Sequence, residues 1–207
     1  LDTEPMEVPR PEVVEPPLGG EIRDTVYDNI QLPGVIMAYR TPAQGTDDFY
    51  ALEMLSRLLS RGKSARFQKT IVDEQLKALA AFSFPFPLED PGVSLIFAIC
   101  YSGVAPDDLE ASLNAEIEKV QNELITEREF QKMQNQLEAE FLTAYSTMAG
   151  IAESLANYHM YFGDANLINT EIERYRKVTR EDIQRVAKEY MTPDNRVILY
   201  FLPKEGE

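Results

Sequence analysis

The stretch that decides the fold is residues 58–80, LLSRGKSARFQKTIVDEQLKALA. It predicts the end of one amphipathic helix, a tight basic turn, a second helix and the entry to a strand. Gly62 is expected to end the first helix, because glycine adopts the left-handed backbone that helix ends often need. Ser64 is expected to begin the second helix, since its hydroxyl accepts a hydrogen bond from an unpaired helical N–H group.

This turn is also the most basic short window of the chain. Residues 57–69 hold five cations and no acid, whereas the whole chain has 35 acidic and 20 basic residues. One interpretation is a site for phosphate or another anionic ligand. The other, which we favour, is that the cations solvate the turn and complement the end of a helix. The cations are Arg57, Arg61, Lys63, Arg66 and Lys69.

Two strands are predicted before this stretch. Polar and apolar residues alternate over residues 21–29, which indicates an exposed or edge strand. Residues 35–40, VIMAYR, indicate a buried strand, and Leu32-Pro33-Gly34 makes a turn between the two. We therefore expect a β-hairpin or an adjacent pair of strands.

The remaining elements come in groups. A helix begins at Thr46 with Phe49, Leu52, Leu55 and Leu59 at core-facing spacing. Thr126 and Glu129 form a capping box for a long helix. The predicted ranges are helix 64–75, strands 76–86 and 93–101, helices from 106, 126, 149, 167 and 179, and strand 197–202. The order ββ-αα-ββ-αααα(α)-β predicts an α+β two-layer domain with a mainly antiparallel sheet covered by helices.

Bulk composition restricts the class of partner. The formal net charge of −15 argues against general binding to nucleic acid or to anionic membranes, because both are polyanions. No apolar run approaches the roughly 20 residues that a membrane-spanning helix needs. The single cysteine, Cys100, excludes an internal disulfide.

The first 20 residues differ from the rest. They contain five prolines, several glutamates and almost no large apolar residues, and proline disfavours both helix and sheet. We interpret residues 1–20 as an inter-domain linker and residues 21–207 as the folded domain. The chain begins at Leu1, which suggests a processed protein or part of a longer one.

Catalytic residues are not evident. His159 is the only histidine, so neither an HExxH nor an inverted HxxEH zinc motif, each with two histidines, exists in this chain. We expect His159 to be structural or at the surface, and Cys100 to be inert packing in a strand. The acidic pairs are interpreted as helix-start and turn residues. We therefore predict no catalytic residue and no metal ligand. These pairs are Asp47-Asp48, Glu89-Asp90 and Asp107-Asp108.

Five stretches, in this order, carry a family resemblance. LLSRGKSARFQKTIVDEQ is similar to the turn and helix start of zinc peptidases of the pitrilysin/insulinase (M16) family. The other stretches are EPPLGGEIR (15–23), QLPGVIMAYRTP (31–42), DPGVSLIFAICYSG (90–103), and TEREFQKMQNQLEAEF (126–141) with VTREDIQRVAKEYMTPDNRVILYFLP (178–203). Such peptidases have two homologous α/β halves, of which the N-terminal half carries HxxEH and zinc. The chain resembles the C-terminal, zinc-free half, and the resemblance implies a LuxS/mitochondrial-processing-peptidase-like fold.

One feature departs from the family pattern. Many members contribute an Arg and, about two helical turns later, a Tyr that contact bound peptide near the zinc. Those places fall at Val72 and Leu79 here, and an aliphatic side chain cannot hydrogen-bond a peptide carbonyl. The substrate-binding residues therefore stay unknown. Two interpretations are open: a homologous partner subunit supplies the Arg/Tyr pair, or the parent protein is an inactive scaffold.

The resemblance implies a non-catalytic half that closes a peptide-binding chamber over zinc held by a half missing from this chain. The expected partners are that N-terminal zinc-bearing half, a homologous Arg/Tyr-bearing subunit and a peptide substrate. The alternatives are an inactive M16-like scaffold or subunit-assembly module, and an anion-binding adaptor using the basic turn. The family suggests a bacterial periplasm or cell envelope as the location.

Overall fold

The structure is a computed structural model that describes residues 16–204. The strands are β1 (Ile22–Asp28), β2 (Gly34–Thr41), β3 (Ala78–Pro85), β4 (Gly92–Cys100) and β5 (Arg196–Pro203). The helices are α1 (Asp47–Ser60), a π-helix (Phe67–Glu74), α2 (Pro106–Asn122), α3 (Glu127–Ala144), α4 (Met148–Phe162), α5 (Leu167–Lys177) and α6 (Arg180–Tyr190). A 3₁₀ turn, Pro193–Asn195, precedes β5. The predicted element order and the α+β class are confirmed.

The five strands form one sheet in the order β1-β5-β2-β4-β3. β1 pairs with β5 in parallel, whereas the other neighbours are antiparallel. The prediction that the first two strands are adjacent is wrong, because β5 lies between them. β5 is apolar over most of its length and gains burial from a neighbour on each side, while the polar β1 takes the edge position, where charged residues are common.

The core lies between one face of the sheet and the helices α1, α2 and α6. All predicted core positions of α1 are buried, with Leu52, Leu55 and Leu59 fully so. Leu109 and Leu113 of α2 are equally inaccessible, since every fourth residue returns to the same side of a helix. The apolar sides of α1 and α2 are therefore buried within the chain itself.

The turn after α1 differs in part from the prediction. Gly62 has φ +85°, as expected for a glycine that follows a helix end. Ser64 does not cap the next helix, because it lies two residues before the N-cap position, Arg66; its hydroxyl accepts a hydrogen bond from Lys132 at 2.5 Å. The next helix starts at Phe67, has π geometry and is held by the fully buried side chains of Phe67 and Ile71.

The helix starts at three threonines follow the prediction. Thr46 accepts from the backbone N–H of Phe49, and Thr126 forms the predicted capping box with Glu129. Thr179 and Asp182 form a second capping box at α6. Within residues 16–204, none of the helices combines the length and apolarity that membrane crossing requires.

The predicted linker lies mostly outside the described residues. Residues 1–15 are not described, and residues 16–20 belong to neither a helix nor a strand. The carbonyl oxygen of Pro16 accepts a hydrogen bond from Arg40. The division into a linker and a domain stays a prediction.

Candidate functional site

The face of the sheet away from α1, α2 and α6 is apolar, and we call it the open face. Along β2 and β4 the fully buried residues alternate with half-buried ones, as expected when helices cover one side of a sheet. The half-buried set includes Ile36 and Ala38 on β2 and Leu95, Phe97 and Ile99 on β4. The open face is therefore built from side chains that core strands normally hide.

The strand register aligns these residues into three rows across the sheet. The first row is Asp24, Leu199, Ile36, Phe97 and Phe82; the second is Ile22, Val197, Ala38, Leu95 and Phe84; the third is Val26, Phe201, Gly34, Ile99 and Ala80. Asp24 is the one charged residue in these rows, and it lies on the edge strand. With strands about 4.8 Å apart, each row spans about 19 Å, which equals the length of about six residues of extended peptide.

The aromatic part of the open face lies at the edge strand β3. Phe82 and Phe84 are 49% and 39% exposed, and the rings of Phe84 and Phe86 meet edge to face with centroids 5.4 Å apart. Leu88, just beyond the strand, is also exposed. Isolated exposed apolar residues are ordinary in proteins, but a continuous patch of this kind marks a surface that meets another molecule or domain.

A second feature borders the same edge, and we call it the α4 cleft. It lies between the end of β3 and the helices α1, α4 and α5, with a volume of about 590 Å³. Two carboxylates, Glu53 and Glu171, and the amide of Gln44 face it. Six of its fourteen lining residues are aromatic: Phe49, Phe84, Tyr158, Tyr161, Phe162 and Tyr175.

Tyrosine hydroxyls hold the two carboxylates of the α4 cleft. Tyr50 donates to Oε1 of Glu171 at 2.9 Å, and Tyr175 donates to Oε2 of Glu53. Burial, together with the charge of Glu171, raises the pKa of Tyr50 above its ordinary value. Burial and a hydrogen bond to Glu171 likewise raise the pKa of Tyr158. These phenols therefore stay protonated and act as donors at neutral pH.

α4 itself has little contact with the rest of the domain. None of its residues is buried, and Met148 and Met160 are 84% and 64% exposed. Its C-terminal end is fixed by a close approach, because Gly45 has φ +84° and lies under the ring of Phe162. A side chain at residue 45 would collide with that ring, so the glycine sets the position of α4 beside the cleft.

The basic turn forms ion pairs within the domain. Arg57 donates to Glu140 at 2.8 Å and to Glu53 at 3.1 Å, and Arg66 donates to Glu129 at 3.1 Å. Two of these three carboxylates belong to α3, so the cations tie the turn to that helix rather than only complementing a helix end. An anion-binding role loses its main support, since the guanidinium groups are already neutralised.

The places of the expected Arg/Tyr pair lie on different elements. Val72 belongs to the π-helix and packs, partly buried, against the core. Leu79 is 50% exposed on β3, next to an irregularity in the pairing with β4. The absence of a substrate-contacting pair at Val72 and Leu79 stays a prediction.

The residues that the structure describes do not fit a zinc site. His159 is exposed on α4, and Cys100 is fully buried in β4. Over residues 16–204 there is no group of three or more His, Cys, Asp or Glu side chains arranged to hold a metal ion. Zinc in structural and catalytic sites needs three or four such ligands. We therefore derive no metal-dependent step from these residues.

The carboxylates of the α4 cleft were not among the residues that the sequence predicted. Glu171 lies four residues after Leu167 and four before Tyr175, and all three are buried on one side of α5. A charged residue in an apolar helical stripe is a signal that sequence does contain, because buried charges are rare unless paired. Asp47-Asp48 and Asp107-Asp108 lie in the first turns of α1 and α2, and Glu89-Asp90 lies in the bend before β4, as expected. Asp48 also accepts from Arg185 and Tyr190.

The sequence is similar to those of known proteins. Residues 2–137 match the family model described as the peptidase M16 inactive domain. The chain is 29% identical over 197 residues to the zinc protease PqqE of Helicobacter pylori, which covers 95% of this chain and 44% of the relative. The chain thus spans about half the length of that curated relative.

Two solved structures show the same fold. A protease from Helicobacter pylori superposes with a TM-score of 0.90 at 27% identity, covering 97% of this chain and 48% of that one. The periplasmic protease PqqL from Escherichia coli gives a TM-score of 0.71 at 18% identity, covering 90% of this chain and 21% of that one. At the lower identity the likeness concerns the fold alone.

Proposed function

This chain belongs to the M16 peptidase family as an inactive C-terminal domain, and we propose that it closes a peptide-binding chamber over a zinc site carried by another half of the same protein. The open face is the observation that carries the proposal. An apolar surface of this extent is covered by a second domain or encloses a ligand, since monomers rarely leave one in water. An apolar wall of this kind can bind peptides of different sequence.

In this proposal the zinc-bearing half performs the chemistry. Zinc supplies a polarised carbonyl and an activated water for peptide hydrolysis when it is bound there. The present chain contributes shape: the rows that contain Leu95 and Phe97 exclude water and hold an extended peptide. By itself the chain should bind no catalytic zinc and cleave no peptide.

The test is reconstitution of peptidase activity. The zinc-bearing half is expressed with and without this chain, and cleavage of a quenched fluorescent peptide is measured. We expect activity only when both halves are present, and loss of most of it when Leu95→Lys and Phe97→Lys put two charges on the open face. Leu142→Lys is the matched control, because Leu142 is 77% exposed at the end of α3, away from the open face.

Three results would contradict the proposal. They are full activity of the zinc-bearing half alone, unchanged activity of the Leu95→Lys/Phe97→Lys variant, and stoichiometric zinc in this chain purified by itself. Zinc is measured by atomic absorption on the isolated chain. Circular dichroism of each variant separates loss of the surface from loss of the fold.

The second candidate function is an inactive scaffold or assembly module with the same fold. It is favoured by Val72 and Leu79, which cannot provide the substrate contacts of an Arg/Tyr pair. An HxxEH motif in the other half supports the peptidase, whereas its absence supports the scaffold. If the peptidase is active only after addition of a homologous subunit, that subunit supplies the missing pair.

We also propose a periplasmic or cell-envelope location. The support is the likeness of the fold to that of the periplasmic protease PqqL. Fractionation of the source cells, with detection of this chain by antibody, tests it. Recovery in the cytoplasmic fraction alone would contradict it.

A further inference from the structure

We propose that the α4 cleft binds a basic side chain, lysine or arginine, of an extended peptide that lies along the β3 edge of the open face. The inference rests on the proposed function for the peptide nature of the ligand. It adds the class of side chain that the domain selects and the place where it is held. Neither the basic turn nor the Val72 and Leu79 positions take part in it.

The first argument is that Glu171 of the α4 cleft lacks a direct ion-pair partner among the described residues. This residue is 9% exposed and forms no ion pair with any residue of the described part of the chain. Arg174 acts on Glu171 electrostatically without forming an ion pair with it, and donates to the Gly45 carbonyl at 3.3 Å and to the Tyr50 hydroxyl at 3.2 Å. A buried carboxylate held by phenol hydroxyls is only partly compensated, because buried charges are normally paired with an opposite charge. A cationic guest would complete the pair.

The second argument is the wall of the cleft. Tyr158, Tyr161 and Phe162 come from α4, and Phe49 and Tyr175 come from α1 and α5. Aromatic faces attract ammonium and guanidinium groups, and this attraction is stronger where water is excluded. Among the described residues, no lysine or arginine lines the cleft, so the space next to these rings has no cation of its own. The wall therefore favours a cation with an aliphatic stem over an anion.

The third argument is an unused donor. Nε2 of Gln44 is buried and has no hydrogen-bond partner. Gln44 lines the same cleft as Glu171, and a peptide carbonyl bound there is an acceptor to which its side-chain amide can turn. A purely apolar guest would leave both the Gln44 amide and the Glu171 charge unsatisfied.

The fourth argument is continuity with the open face. Phe84 ends the second row of that face and also lines the α4 cleft. A peptide that lies along the β3 edge therefore passes Phe84 and can place one side chain in the α4 cleft. The net charge of −15 assists such a ligand, since it attracts cationic peptides over a distance.

The experiment measures peptide binding to the 207-residue chain alone. The probe is a fluorescein-labelled peptide, Ala-Leu-Ala-Arg-Ala-Leu-Ala, and the comparison probe replaces the arginine with citrulline, which has the same shape and no charge. Binding is followed by fluorescence anisotropy. We expect the citrulline peptide to bind at least about tenfold more weakly, which corresponds to about 1.4 kcal/mol.

Glu171→Gln is the decisive variant and Glu173→Gln the matched control. Both remove one charge from α5, but Glu173 is exposed and pairs with Arg176 outside the cleft. We expect Glu171→Gln to weaken binding of the arginine peptide about tenfold and to leave binding of the citrulline peptide unchanged. Glu173→Gln should change the affinity for neither peptide. Equal effects of the two variants would show that only the overall charge matters, and would overturn the proposal.

A second variant guards against misfolding of Glu171→Gln. Tyr161 is 43% exposed, so Tyr161→Leu removes one aromatic face with little risk to the fold. We expect it to weaken binding of the arginine peptide a few-fold. Unchanged binding would count against the cleft as the site. No binding of either peptide would overturn this inference alone, because reconstituted peptidase activity tests the proposed function independently.

Discussion

The two faces of the sheet carry the same kind of side chain, yet residues 16–204 cover only one of them. Met37, Ile96 and Ile198 lie under the helices and are at most 1% exposed. Ile36 precedes Met37 and Phe97 follows Ile96 on the same strands, so both side chains point to the opposite face, where they are half-buried. The difference teaches that apolar composition marks both a core and an interface. Which of the two a face becomes depends on what lies against it.

The largest expected effect is on the covered face. Leu55→Ala leaves a cavity under fully buried neighbours and should lower the free energy of unfolding by about 2–5 kcal/mol. Leu95→Ala on the open face should cost less than about 1 kcal/mol in the isolated chain, because a half-buried side chain loses less on truncation. Urea denaturation of both variants measures the contrast. Equal losses would mean that the open face is part of the folding core.

The next effect concerns the polar end of the covered face. Arg23 of β1 donates to Glu110 of α2 at 2.6 Å and 2.9 Å, and Tyr200 of β5 donates to the same carboxylate at 2.5 Å. Glu110→Gln should cost about 1–3 kcal/mol, less than a fully buried pair because Arg23 is half-exposed. Glu118→Gln, exposed on the same helix, is the control and should change little.

The stability that Glu110 contributes should depend on pH. Burial raises the pKa of Glu110, but the hydrogen bonds from Arg23 and Tyr200 outweigh it, and the net pKa lies below the ordinary value. Stability from this group is therefore present above about pH 4.3 and is lost as pH falls through the lower folded-state pKa. Urea denaturation at pH 7, 5 and 3.5 should show a smaller acid loss for Glu110→Gln than for the unchanged chain. An identical acid loss would exclude Glu110 from the linkage.

A smaller effect on stability is expected at α4, a helix that is buried by neither face of the sheet. Gly45→Ala places a Cβ 2.5 Å from the Phe162 ring in a backbone with φ +84°. Gly103→Ala is the matched control, with φ +83° and no atom within 4 Å. Both pay the strain of about 1 kcal/mol for a left-handed residue. Gly45→Ala should cost more by thermal unfolding and weaken binding in the α4 cleft, whereas equal costs would show that Phe162 yields freely.

The smallest effect on stability is expected on the open face itself. Phe97→Thr keeps a residue that suits a strand and should change the free energy of unfolding by about 1 kcal/mol or less. It should, however, lower the fluorescence of a hydrophobic dye such as ANS bound to the isolated chain. Unchanged dye fluorescence would place the dye-binding apolar surface elsewhere, with α4 as the next region to mutate.

Local features of the sequence predicted local structure well. Thr46, the Thr126/Glu129 capping box and Gly62 mark helix ends because their interactions span three or four residues of chain. The periodicity of Leu52, Leu55 and Leu59 identified the buried side of α1 for the same reason. The prediction for Ser64 was wrong: the helix begins three residues later, at Phe67, and the Ser64 hydroxyl accepts from Lys132, 68 residues away. A local rule has no access to such a contact.

The sequence by itself therefore determined the order of the elements, the buried sides of the helices and the likeness to an inactive M16 domain. Only the tertiary structure decided that β5 separates β1 from β2, because strand pairing is a contact between distant segments. It also decided that Glu171, Gln44 and Phe84 meet at one cleft. Strand alternation marks two apolar sides of a sheet, but a side becomes a surface for a partner only when the helices have packed on the other one.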